Sequence, residues 1–342
     1  SLEPWLYSLR TLIMPLILLV CIAMLERESG MKLFLKVWIG IGTLAGAYGL
    51  YQEFFGLAGF EWIWVVADPP RYGLYYILGH MGVFSFLSDP SAFGVFMAAT
   101  SLACFALMLG PVSGIKKIVL GISTLVMLPA MLYSGTRTAY AMVAVGIFFM
   151  TLISIRKRTT LVFAMVGAAT FIVIMFGPFY SPAINRFRSA FKPDQDASME
   201  VRDVKRLNFR PYIHAHPIGG GLNTTGSTGL RFSPGHPLAT GIDADSGYLR
   251  TALEQGWIGL AILLIFFFIV TQRGISNYFA LDKPMLQYYN LAYLVPFFAT
   301  AVANFTQHAV LYKPMYIMII AAFAVIINLE SFEPKKLNSL RI

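Results

Sequence analysis

Nine apolar runs, at about 6–25, 34–51, 91–110, 117–134, 138–155, 160–177, 248–270, 287–305 and 311–328, restrict the fold of this chain more than any other feature. A helix needs about 20 apolar residues to cross a hydrocarbon core, where the absence of water forces each backbone polar group to find its partner inside the segment. Several runs are slightly short, so they borrow flanking aromatics or belong to a thin, tightly packed bundle. Small residues in GIGTLAGAYG at 40–49 suit such close packing. With 57% hydrophobic and 13% charged residues among 342, and a mean hydropathy of +0.66, too little polar surface is left to solvate a water-soluble globule. The expected fold class is all-α: one polytopic transmembrane helix bundle over 1–342 with about nine spans and a long loop at 178–247.

The net charge of +9 reads as topology. Basic residues gather in alternate connections: Arg27, Lys32 and Lys36; Lys116 and Lys117; Arg156, Lys157 and Arg158; Arg273; Lys335 and Lys336. Connections of this kind face the cytoplasm, which puts the C-terminus inside and residue 1 outside. An outside start, without an initiator Met or the order of a signal peptide, fits the expectation of a truncated chain with upstream spans lost. Nucleic acid as a partner would want a basic face with interleaved aromatics, whereas Lys and Arg here sit mostly in short clusters between apolar runs, so that reading is set aside. Cys21 and Cys104 both sit inside apolar runs and read as small core residues, neither disulfide nor thiolate metal ligands.

The opposite side receives the connections 52–90 and 178–247, the GTRT turn, and a short turn containing His308; all five histidines, 80, 214, 216, 236 and 308, fall there. Polar residues go wherever there is water, yet chemistry belongs on this side if anywhere. EFFGLAGFEWIWVV in the first connection reads as an interfacial amphipathic helix, with Trp62 and Trp64 at headgroup depth and DPP at 68–70 ending it. Plain anchoring and guarding a lipid entrance both fit.

Nucleotide and zinc-protease chemistries lose their main support, since GxxxxGK, GxGxxG, HExxH and CxxC are all missing. His214 and His216, with His236, Asp243 and Asp245 downstream, could formally hold a metal but read as ordinary polar loop residues. Arg137, in a turn at a membrane boundary, is either a snorkelling side chain or an anion clamp, because guanidinium grips phosphate oxygens in a bidentate fork. The 178–247 loop carries eight basic residues (Arg186, Arg188, Lys192, Arg202, Lys205, Arg206, Arg210, Arg231) against six acidic ones. Arg202, Lys205 and Arg206 share a helical face, which suits either a solvated helix or an anionic headgroup. In HPIGGGLNTTG the glycines permit tight turns or backbone approach to a ligand. Asp245 or Ser246 can cap the helix that follows, and Arg250 and Glu254, at i and i+4, pair with each other or line a cavity.

These pieces occur in a recognisable order: SGTR at 134–137, Arg202 followed by Pro217, Gly219 and Gly221, then DSGYLRTALEQGWIGL at 245–260, with GVFSFLSDPSAFGVFM at 82–97 upstream. Over roughly 75–270 the chain resembles the O-antigen ligase and polymerase family of bacterial membrane proteins. The resemblance implies a glycosyltransferase of the all-helical membrane type (GT-C-like) in the bacterial inner membrane, acting on its outer, periplasmic face. Its donor would be an undecaprenyl-pyrophosphate-linked glycan, its other partners a glycan acceptor, membrane lipids, a chain-length regulator and a flippase, with neither metal nor cofactor. Arg137 and Arg202 would then neutralise the pyrophosphate with help from Arg206 and Arg210, and Gly219 and Gly221 would line the substrate. Family ligases usually carry His-Asn where this chain has Asp245-Ser246, which shifts the expectation toward a polysaccharide polymerase, with ligation of finished glycan and non-catalytic glycolipid transport as alternatives. Asp245 is assigned to orienting or deprotonating the attacking hydroxyl, with His216 and His236 as competing bases near the substrate.

Overall fold

The computed structural model describes residues 13–77, 79–178, 182–189, 191, 207, 209–241 and 243–332. The helices are α1 (Ile13–Met24), α2 (Glu28–Phe55), α3 (Gly59–Val66), α4 (Pro69–Tyr75), α5 (Pro90–Leu109), α6 (Gly114–Tyr133), α7 (Arg137–Ile153), α8 (Arg158–Phe176), α9 (Pro182–Ser189), α10 (Gly226–Phe232), α11 (Gly247–Ala280), α12 (Pro284–Ala303) and α13 (Met315–Asn328). A two-residue antiparallel ladder joins Tyr76–Ile77 to His80–Met81. Each predicted apolar run contains a helix. Six of these are long and apolar enough to cross a membrane: α2, α5, α6, α8, α11, and α13 with the short turn after it; α7 is apolar but shorter. The protein is therefore an all-α polytopic helix bundle.

Burial sorts the helices. For α5, 89% of the most apolar stretch is inside the bundle, against 6% for α8, so α5 is an inner helix and α8 a peripheral one turned to lipid. Beside α5 stands α12, whose Leu291, Tyr293, Leu294, Val295 and Phe297 are wholly buried. The glycine face of α2 packs here: a β-carbon at Gly42 would lie 2.7 Å from Thr100 of α5, and one at Gly49 would lie 2.6 Å from Phe93. These contacts let α2 approach as the small residues at 40–49 predict.

The seventh span runs to Ala280 rather than ending near 270. Its polar tail stays helical because it is tied into its neighbours: the Asn277 amide donates to the Ile326 carbonyl at 2.7 Å, and Asn290 of α12 donates to Gly274 at 2.7 Å. At the same end, Lys157 donates to Gln287 at 3.0 Å and lies over the Tyr288 ring at 4.6 Å, while Lys32 lies over Tyr289 at 5.7 Å. Arg273 pairs with Glu330 at 2.6 Å. Side chains from three of the basic stretches, together with Lys283, which donates to the Phe332 carbonyl, thus gather at one end of the bundle.

The connection 52–90 departs from its sequence reading. EFFGLAGFEWIWVV is not one helix: α2 continues through Phe55, the chain turns at Gly56, and α3 starts at Gly59. DPP ends α3 and also begins α4, with proline in its first turn, where the missing N–H costs nothing. The acid of α3 faces inward. Glu61 is buried and accepts from the Tyr48 hydroxyl at 3.0 Å, the Gln52 amide at 2.8 Å and the Ala58 N–H at 2.9 Å. Phe60, Trp62, Ile63 and Trp64 are left exposed on the outside. An apolar face turned outward from a tethered acid suits a lipid interface better than a solvated polar face would.

Candidate functional site

The site is built at the bundle end opposite the lysines, beginning with the SGTR turn. Helix α6 ends at Tyr133, Gly135 takes φ +69, and Arg137 opens α7, half-buried. Thr136 donates from its hydroxyl to the Pro90 carbonyl at the head of α5, 2.9 Å away. Thr138 meets Thr306, hydroxyl to hydroxyl, at 3.0 Å. These two contacts fix the Arg137 turn between the head of α5 and the 304–308 turn.

That second turn also seats the head of α11. Gly247 N–H donates to the Asn304 carbonyl at 2.9 Å, and a side chain at Gly247 would put its β-carbon 2.2 Å from the Asn304 amide. The Ser246 hydroxyl accepts from Leu249 N–H at 3.3 Å, so Ser246 makes the cap for which Asp245 was the alternative. Asp243 accepts from the Ser227 N–H at 3.0 Å and the Ser227 hydroxyl at 2.9 Å, closing the start of α10. His308 donates from Nε2 to the Ala244 carbonyl. Burial, reinforced by the Arg250 guanidinium, lowers its pKa below the usual 6.5, against the pull of Asp243 and Asp245.

The glycine loop and α11 then lock together. At Gly256, φ +67 and ψ −164 break the helix, a backbone setting open in practice only to glycine. The carbonyls released by the break are taken up by the loop: Gly220 N–H donates to Leu253 O at 2.8 Å and Gly221 N–H to Glu254 O at 3.0 Å. In return, Trp257 N–H donates to Pro217 O at 3.0 Å. Gly219, at φ +90, lies so near that an added β-carbon would be 2.5 Å from Gly256 N. Glu254, buried at 7% exposure, accepts from Arg250 Nε at 3.0 Å and from the Thr225 hydroxyl, which realises the predicted i, i+4 pair and pins the loop to it.

Residues 122–264 match the family profile described as O-antigen ligase. Over this stretch the chain is similar to the O-antigen ligase family. No curated protein matches the chain. The matched stretch holds Arg137, the glycine loop and the α11 kink, while the 304–308 turn lies beyond it. O-antigen ligase or polymerase-like glycan handling, glycosyltransferase-like in kind, goes with this family, here in a protein with membrane-spanning helices.

The other predicted site residues fall as follows. Arg202 and Arg206 lie outside the described residues, and so does Lys205. Arg210 is exposed on the helical stretch 209–215. His216, exposed, stacks on Tyr212 with ring centroids 4.0 Å apart and donates from Nδ1 to the Tyr212 carbonyl at 3.1 Å. His236 accepts at Nδ1 from Leu238 N–H at 3.2 Å, which places its proton on Nε2. Ile213, Leu238, Ala244, Ala252 and Leu253 form a small apolar core beneath them. Among the described residues no group of three or more His, Cys, Asp or Glu side chains is arranged to hold a metal ion. Sequence reasoning placed His308 on this side of the bundle and gave it no role; its single signal was a histidine in a short turn between spans.

Proposed function

We propose that this protein is a membrane glycan polymerase. It takes a glycan from a polyprenyl-pyrophosphate carrier and passes it to a hydroxyl of another lipid-linked repeat unit, on the extracytoplasmic face of a bacterial inner membrane. One observation carries this reading: the 304–308 turn holds both the Arg137 turn, through Thr138, and the head of α11, through Gly247, and α11 in turn binds the Pro217–Gly221 loop at its kink. The lysines at the other end would then lie toward the cytoplasm, with the C-terminus.

In the reaction, the acceptor oxygen bonds to the anomeric carbon of the donor and the bond from that carbon to the pyrophosphate breaks. The electron pair leaves with the carrier pyrophosphate. Arg137 and Arg202 offset the charge that develops there, with Arg206 and Arg210 as auxiliary contacts, and Gly219 and Gly221 shape the loop beside it. Asp245 orients or deprotonates the attacking hydroxyl, with His216 and His236 as competing bases near the substrate. Neither metal nor nucleotide enters this reading. Membrane lipids, a chain-length regulator and a flippase are its expected partners.

Ligation of finished glycan to lipid A core or another acceptor is the second reading, favoured by the description of the matched family. Purified protein in nanodiscs with lipid-linked repeat units separates the two, since polymerisation lengthens the glycan and ligation moves it unchanged to a new carrier. Absence of lengthening where a sister polymerase extends the same substrate would refute the polymerase. Arg137→Lys keeps the charge but loses the fork, and should lower transfer roughly tenfold to a hundredfold.

A further inference from the structure

His308 has a fixed tautomer and an acceptor nitrogen with nothing to accept. A backbone carbonyl can only accept, so the contact with Ala244 O requires the proton of the neutral ring on Nε2, and the lone pair is therefore on Nδ1. That Nδ1 is screened from solvent and has no hydrogen-bond donor, and the same holds for Oε1 of the adjacent Gln307. Two unfilled acceptors on consecutive residues of one turn match a ligand rich in hydroxyl donors, and buried acceptors are seldom left in this state without a reason.

Position adds to chemistry. Through Thr138 and Thr306 the turn touches the residue next to Arg137, and through Asn304 it seats Gly247 at the head of α11. Gln307 reaches Ser91 on α5 at 3.4 Å. The charged groups acting on the ring are Arg250 from the first turn of α11 and Asp243 and Asp245 from the segment before it. Arg250 has its Nε committed to Glu254.

We infer that His308 Nδ1 takes the proton of the attacking sugar hydroxyl, while Gln307 Oε1 accepts from a neighbouring hydroxyl of the same sugar. This rests on the proposed transfer reaction and leaves Asp245 the orienting share of its role. The hydroxyl proton moves to Nδ1, its oxygen bonds to the anomeric carbon, and the carbon–oxygen bond to pyrophosphate breaks with its electron pair on the pyrophosphate. The resulting imidazolium keeps Nε2–H on the Ala244 carbonyl, and Asp243 and Asp245 offset its charge.

The test measures chain lengthening in nanodiscs from pH 5 to 8 for the native protein, His308→Ala and His308→Gln, with donor binding followed by native mass spectrometry. The expected result is a loss of about a hundredfold or more in turnover for both variants with donor binding retained. The native rate should rise with pH along a limb that both variants lack, and added imidazole should restore part of the His308→Ala rate. Turnover in His308→Ala equal to native would overturn the inference, as would a native rate flat across this range, which needs no folded variant to observe. A native protein inactive toward every lipid-linked glycan would sink the transfer reading itself, an outcome distinct from an active protein indifferent to His308.

Discussion

Replacing Gly256 by alanine strikes the joint between the glycine loop and α11. An added β-carbon would stand 2.1 Å from the Pro217 carbonyl oxygen and 2.7 Å from Gly219 N, both backbone atoms that cannot swing aside as a side chain could. The backbone itself resists, since φ +67 with ψ −164 costs a residue other than glycine about 1–3 kcal/mol. Relief requires the loop to withdraw, which gives up the bonds of Gly220 to Leu253, Gly221 to Glu254 and Trp257 to Pro217. Each is worth about 0.5–1.5 kcal/mol net, so the whole perturbation comes to roughly 3–7 kcal/mol. Thermal unfolding in nanodiscs should show a large drop, and hydrogen exchange should show the amides of Gly220, Gly221 and Trp257 losing protection before the rest of the bundle. A Gly256→Ala protein that melts with the native one and keeps those three amides slow would refute the account of the kink as a loop-satisfied break.

Three further outcomes follow from the same geometry. Glu254→Ala leaves Arg250 and the Thr225 hydroxyl without their shared acceptor and should cost about 3 kcal/mol in denaturant titration, the low end for a buried pair because Arg250 keeps some solvent, with Glu254→Gln milder. Because His308 has its pKa lowered in the folded protein, the unfolded chain binds the extra proton first; stability should be full above about pH 6.5 and fall as pH drops toward the folded value, and His308→Gln should flatten that slope in melting curves. Brominated lipids should quench much of the tryptophan emission through exposed Trp62 and Trp64, and Trp62→Phe with Trp64→Phe should remove that part; quenching unaltered in the double variant would mean that α3 does not lie in the lipid interface.

The apolar runs by themselves determined that this chain is an all-α bundle, because without water a backbone can satisfy its polar groups only inside each segment. They also located the connections, and i, i+4 spacing was enough to pair Arg250 with Glu254, since one helical turn sets that distance. The glycine pattern of 40–49 announced close packing correctly for the same local reason. What no spacing rule could supply was the direction in which a short helix turns its one acid: Glu61 faces inward because Tyr48 and Gln52 of another helix are there to donate. Nor could it choose Ser246 over Asp245 as the cap, or foresee that Gly256 breaks α11 where loop amides stand ready to take its carbonyls. The site belongs to this second class. Thr138 and Thr306 are 168 residues apart and His308 and Ala244 are 64 apart, and pairs so remote are brought together only by how helices pack, which depends on the whole bundle rather than on any stretch of it.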